Sequence, residues 1–169
     1  MSLKPQDVVV ALKLAAHPDA AWSYPKLALD LAMSASEVHA SVRRATHAGL
    51  LQDNESHRAN RKALLEFLVH GLKYVFPAVR GGMTRGLPTS YAAAPLRQHF
   101  AKSNEAPPVW PEPEGTVRGE ELAPLYRSVP KAARQDEQLY ELLVLVDAVR
   151  SGRARERELA VKELRSRLG

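Results

Sequence analysis

The most chemistry in the shortest span lies between Ser34 and His47, in SASEVHASVRRATH, with two adjacent guanidiniums, two imidazoles, three serine hydroxyls and a single carboxylate. A helix turns about 100° per residue. That rotation sets Val38, Ser41, Val42 and Ala45 on one side and gathers Ser36, Ala40, Arg43, Arg44 and His47 opposite, with His39 on the shoulder. No acid interrupts the outward side. Such a face suits a polyanion, because Arg can fork onto guanine or phosphate and small side chains at the leading end permit close approach. The alternative is a solvated helix face, the common fate of neighbouring arginines.

Other chemistries find little support. The chain has no Cys, which removes thiol catalysis, disulfide scaffolds and Cys-ligated metals. Its six His form neither H-E-x-x-H nor an i, i+4 pair, so no metal site is expected. Arg80-Gly81-Gly82-Met83-Thr84-Arg85-Gly86 is the one Gly-rich element, yet it lacks the G-K-[ST] end of a phosphate-binding loop. It reads as a mobile or folded-back loop, with its two arginines a candidate second nucleic-acid contact. No triad, carboxylate pair or cofactor fingerprint can be assembled, so the expectation is a binding protein without catalytic residues or cofactor.

The elements that position the 34–47 segment follow from local signals. Pro5 suits a first helical turn and precedes Val8, Val9, Leu12 and Ala16 at helical spacing, ending at His17-Pro18-Asp19. A short helix is predicted from about Tyr24 to Ala32. Ser34-Ala35-Ser36-Glu37 is a capping box, in which the Ser hydroxyl receives the amide three residues on and Glu37 reaches back to the cap amide. The third helix therefore spans about 35–48, and Gly49 can take the left-handed residue after it. A fourth, strongly apolar helix runs from the cap Asn60 through Leu64, Leu65, Leu68 and Leu72 to Phe76, either central to the core or facing a second copy.

Two short helices joined by a tight turn form a helix-turn-helix, whose second helix enters a DNA major groove. As it stands in Tyr24 to Leu51, Y-x-x-L-A-x-x-L-x-M-S-x-S-E-V-x-x-S-V-R-R-x-x-x-A-G-L-L resembles the DNA-binding core of winged helix-turn-helix transcriptional regulators of the MarR and IclR-like type. The resemblance covers about 30 of the 169 residues. It implies that Tyr24 and Lys26 touch backbone phosphate, and that Ser34, Ser36, His39, Ala40, Arg43 and Arg44 sit in or beside the groove. One departure stands out. Those families follow the recognition helix with a two-stranded wing, whereas here a polar loop, Gln52 to His57, leads directly towards a helix. The wing is reduced or absent, and Arg58, Arg61 and Lys62 are the nearest basic substitutes.

Nine of the twelve prolines fall between Pro77 and Pro130, which excludes long regular helix there. Within that stretch Pro107 to Gly115 is expected to be neither interior strand nor helix but an extended connector, with Trp110 anchoring it on the body. The tail has one apolar stripe, Leu139, Leu142, Leu143, Val146 and Val149, followed by an Arg-rich helix interleaved with Glu156, Glu158 and Glu163. That alternation looks like a salt-bridged surface, and the tail is expected to pack or dimerise.

The sequence thus predicts a mainly α fold in three parts. Residues 1–76 form a helix-turn-helix DNA-binding domain, 77–130 a Pro/Gly-rich irregular connector, and 131–169 a helical dimerisation or partner-binding element. The net charge of +5 is too small to decide a partner, and the tail's share of it alternates with Glu. No stretch reaches the roughly 18 apolar residues of a membrane span, and the N-terminal apolar run is short for a signal peptide, so a cytoplasmic protein is expected. The leading expectation is a dimeric repressor on double-stranded DNA, its two recognition helices roughly 34 Å apart. The alternative is a protein-interaction module, such as an antitoxin or adaptor, using the Pro-rich middle and C-terminal helices.

Overall fold

The computed structural model describes residues 1–169. Eight α-helices and a small mixed three-stranded sheet make an α+β fold, 53% helical. The helical head follows its local signals closely. Helix α1 spans Pro5–Ala16, α2 Tyr24–Leu31, α3 Ala35–His47 and α4 Arg61–His70. Ser23 caps α2 by accepting the Lys26 amide at 3.2 Å, and Asn60 caps α4 by accepting the Ala63 amide at 3.2 Å. Both halves of the capping box form at α3, Glu37 N to Ser34 Oγ at 3.1 Å and Ser34 N to Glu37 Oε2 at 2.8 Å. Gly49 has φ +84°, the left-handed position after the helix.

The apolar run through Phe76 is not one helix. It breaks at Gly71, and a four-residue helix α5 (Leu72–Val75) follows. Leu64, Leu68 and Leu72 are buried, but Tyr74 and Val75 are exposed.

The middle third is more regular than its composition suggests. Arg80–Pro88 is strand β1, Pro108–Pro111 β2 and Val117–Leu122 β3. Each strand pairs with both others, β1 antiparallel to β2 and β3, and β2 parallel to β3. Two expectations are corrected here, since the Gly-rich loop belongs to strand β1 and residues Pro108–Pro111 of the Pro-rich segment form strand β2. The prolines are compatible with strand pairing because they are used as acceptors: Thr89 N donates to Pro108 O at 3.0 Å and Glu120 N to Pro107 O at 2.9 Å. Close backbone approach requires glycine at the strand pairings of Gly86 and Gly119. A Cβ on Gly86 would lie 1.9 Å from Trp110 O, and one on Gly119 2.0 Å from Pro107 O.

Helix α6 (Val129–Gln135) opens with Pro130 and leads into α7 (Glu137–Ser151), whose cap Asp136 accepts the Leu139 amide at 3.1 Å. In α7 every residue from Leu142 to Val149 is buried, so this helix, rather than α4, is the centre of the molecule. The apolar stripe expected to pack or dimerise packs within one chain. Helix α8 (Ala154–Leu168) lies against α7, with Ala160, Leu164 and Leu168 buried and Arg167 paired to Glu163 and Glu141. A single core of 36 buried residues draws on all three expected segments.

One buried polar cluster fastens the sheet to α7. Asp147 accepts Trp110 Nε1 at 2.7 Å, Thr89 Oγ1 at 2.7 Å and Arg150 Nη2 at 2.9 Å. Arg150 also donates to the carbonyls of Phe76 and Ala123. Each donor answers an acceptor that burial would otherwise leave unpaired. Trp110, 1% exposed, is the anchor expected of it.

Candidate nucleic-acid interface

Helix α3 lies on the core through Val38, Ser41, Val42 and Ala45, all buried, as its periodicity requires. The opposite face presents Ser34, Ser36, His39, Arg43 and His47 to solvent, with Ala40 half-buried between them. Arg43 makes no hydrogen bond or ion pair within the chain. The arrangement therefore leaves one guanidinium, two imidazoles and two hydroxyls on a single exposed helix face.

Arg44 is placed differently from Arg43. Its Nε and Nη2 fork onto Asp7 Oδ2 and Oδ1 at 2.8 and 2.9 Å, and Asp7 is fully buried. Asp7 Oδ2 also accepts the Lys4 amide at 2.8 Å, which ties the start of α1 to the last turn of α3. The expectation that both adjacent arginines face outward is corrected for Arg44. Consecutive helical residues are about 100° apart, and Arg44 borders the buried arc. Arg61 is likewise occupied, donating to the carbonyls of Ala15 and Arg167 in the last turns of α1 and α8. A cation there answers the unpaired carbonyls of two helix ends. Lys26 pairs with Asp30 at 3.0 Å while remaining mostly exposed. Arg58 and Lys62 are exposed.

The turn after α3 is a minimal hairpin. Leu51 and Ala59 form one antiparallel bridge, flanked by Gln52 N to Arg58 O at 2.7 Å and Asn60 N to Leu50 O at 2.8 Å. Asn54 Oδ1 holds its tip by accepting the Ser56 and His57 amides. This short hairpin stands where the sequence led us to expect a reduced or absent wing. Its tip carries Asp53 and Glu55 beside Arg58, which makes it a poor anchor for phosphate.

An aromatic row links the three elements. Tyr24 of α2 stacks on His39 of α3 at 3.6 Å between centroids, and Trp22 meets Tyr24 edge-on at 5.2 Å. Trp22 Nε1 then donates to Ser56 O of the hairpin at 3.1 Å. Between helix and hairpin runs a shallow groove of about 430 Å³ lined by Tyr24, His39, Arg43, His47, Asp53 and His57. Trp22, His57 and Asp53 were not among the sequence candidates. The aromatic density just before α2 was the available signal.

At the leading end of α3 the only carboxylate of the helix is saturated. Glu37 Oε1 accepts Tyr126 OH at 2.6 Å and the Arg127 guanidinium, while Oε2 holds the Ser34 amide. The Tyr126 hydroxyl, then the Ser34 amide, outweigh desolvation and with Arg127 hold the Glu37 carboxyl below its usual range. Burial first, and then the same contact, push the Tyr126 phenol up.

A separate cleft lies between α1, α2 and the α6–α7 junction, and Lys13, His17, Lys26, Asp30 and Asp136 pair with one another in it. Asp136 accepts Lys13 and His17, and Lys13 also lies 3.9 Å from Asp30. Burial opposes ionisation of Asp136, but Lys13, His17 and the Leu139 amide together hold its carboxyl below the ordinary value. No group of three or more His, Cys, Asp or Glu is placed to hold a metal ion, and no helix is long and apolar enough to cross a membrane. Compared with known proteins, the chain matches no family model, no curated protein and no solved structure.

Proposed function

We propose that this chain is a sequence-specific DNA-binding transcriptional regulator, a cytoplasmic repressor whose helix α3 reads the major groove of double-stranded DNA as a homodimer. The observation that carries the reading is the exposed face of α3, where Arg43 is unpaired beside His39, His47, Ser36 and Ala40. Its roles divide by chemistry. Arg43 supplies the fork for guanine or phosphate, Ser36 and Ala40 allow close approach, and His39 with Tyr24 forms a rigid stack at the groove edge. Lys26, Arg58 and Lys62 add backbone charge, whereas Arg44 and Arg61 hold the helices that present the face.

The test is a duplex titration with DNA from upstream of the chain's own coding sequence and with a scrambled duplex. Arg43→Ala should weaken binding to the specific duplex by about 1–3 kcal/mol, some 5- to 150-fold, if Arg43 reads a base edge. Equal affinities for parent and Arg43→Ala on both duplexes would remove the reading.

A second reading, the partner-binding module, is favoured by a different surface from the one the sequence suggests. Trp110 and the α7 stripe are buried, but Tyr74, Val75, Val79 and Met83 are exposed around α5 and the start of β1. The same surface is the apolar one available for a homodimer. A parent that binds no duplex at low salt, and whose oligomeric state changes on Tyr74→Ser/Met83→Ser, would favour that reading.

A further inference from the structure

Arg127 lies 90 residues from Glu37 in sequence, yet its guanidinium reaches the leading end of the helix proposed to enter the groove. Three features fix it there. Nη2 donates to Glu37 Oε1, the guanidinium lies over the Tyr126 ring at 4.8 Å, and Tyr126 is itself bonded to the same carboxylate oxygen. A surface ion pair alone contributes little to stability, so removing the Arg127 side chain should leave the fold intact. The side chain is 74% exposed, and of the five N–H donors of a guanidinium only one is used within the chain. Four donors, oriented by the ring and the carboxylate, remain available at the end of α3 where Ser34 and Ser36 are also exposed.

Glu37 would repel a phosphate if it stood alone. Arg127 cancels that charge, so the segment between β3 and α6 turns an acidic helix end into one that a polyanion can approach.

We propose that Arg127 is a DNA-backbone contact contributed by the C-terminal half of the chain, with Glu37 and Tyr126 as its positioning residues. The inference rests on the DNA-binding reading above and deepens it. It places a phosphate of the duplex beside the leading end of α3.

The experiment is fluorescence anisotropy of the full chain on a labelled duplex from upstream of its coding sequence, repeated from 0.05 to 1 M KCl, for the parent, Arg127→Ala, Arg127→Lys and Tyr126→Phe. One lost phosphate contact reduces the log–log salt slope by about 0.9, which corresponds to about 8-fold weaker binding at 0.1 M if the isotherms converge at 1 M. Arg127→Ala should show that loss with an unchanged thermal melt. Arg127→Lys should keep the slope, and Tyr126→Phe should keep the slope while weakening binding through looser placement. If the parent binds and Arg127→Ala reproduces its affinity and slope, the Arg127 contact is refuted while the DNA reading stands. If the parent itself fails to bind any duplex at 0.05 M KCl, both fall together.

Discussion

The two adjacent arginines of α3 should fail in different ways when removed. Arg44 forks onto a carboxylate with no exposed surface. In Arg44→Ala, Asp7 keeps only the Lys4 amide on Oδ2, and Oδ1 loses its one partner. Breaking a buried pair from one side costs about 3–5 kcal/mol, because an uncompensated charge stays in the core. That is from about a fifth to all of the roughly 5–15 kcal/mol that holds a typical domain together. In a chain of this length each kcal/mol moves the melting temperature by about 2–4 °C, so the expected drop is roughly 6–20 °C. Arg43→Ala, an exposed change, should stay within about 0.5 kcal/mol of the parent. Urea and thermal unfolding by circular dichroism measure both, and Asp7→Asn with Arg44→Met completes a cycle. The double variant should be less destabilised than the sum of the singles by about 0.5–3 kcal/mol, since no stranded charge remains. A melt of Arg44→Ala within about 2 °C of the parent, with additive double-variant effects, would refute the buried-pair reasoning.

Further outcomes follow from the sheet and the cleft. Gly86→Ala should destabilise by about 1–3 kcal/mol in urea unfolding, because its Cβ would meet the Trp110 carbonyl, whereas Gly82→Ala, which meets nothing, should be tolerated. Trp110→Phe keeps an aromatic ring but loses the pyrrole part of the indole, leaving a cavity, and removes a donor from buried Asp147; it should cost at least about 1–3 kcal/mol by the same assay. The folded-state carboxyl of Asp136 sits below its unfolded value, so its contribution is complete above the ordinary carboxylate range and is lost as pH falls below about 4. Asp136→Asn, which can still cap α7, should flatten that part of the acid limb of a stability–pH curve. An unchanged limb would assign acid loss to other groups.

What could be read from the sequence was what lies within four residues. Ser34 with Glu37, Asn60 before its helix and Gly49 after α3 are local hydrogen-bonding or dihedral requirements, and each is met where expected. The buried side of α3 was also legible, because periodicity encodes it. The partner of Arg44 was not, since Asp7 is 37 positions away and appears in the sequence only as a first-turn acid of α1. The partners of Arg61 were hidden for the same reason, being carbonyls at two distant helix ends. The sheet was hidden by its own composition. Gly and Pro weaken strand propensity, yet here Gly86 and Gly119 permit close backbone approach and the prolines accept ladder bonds from strands more than twelve residues away. The Glu37–Tyr126–Arg127 contact spans some 90 residues and left no local trace.

The most direct test of the central claim is a backbone amide NMR titration of the full 18.6 kDa chain with an unlabelled duplex from upstream of its coding sequence. The largest shift changes are expected at Tyr24, Ser36, His39, Arg43, His47 and Arg127, with Asp147 and the α7 core unmoved. Changes confined to Tyr74–Met83, or no saturable change at all, would contradict it.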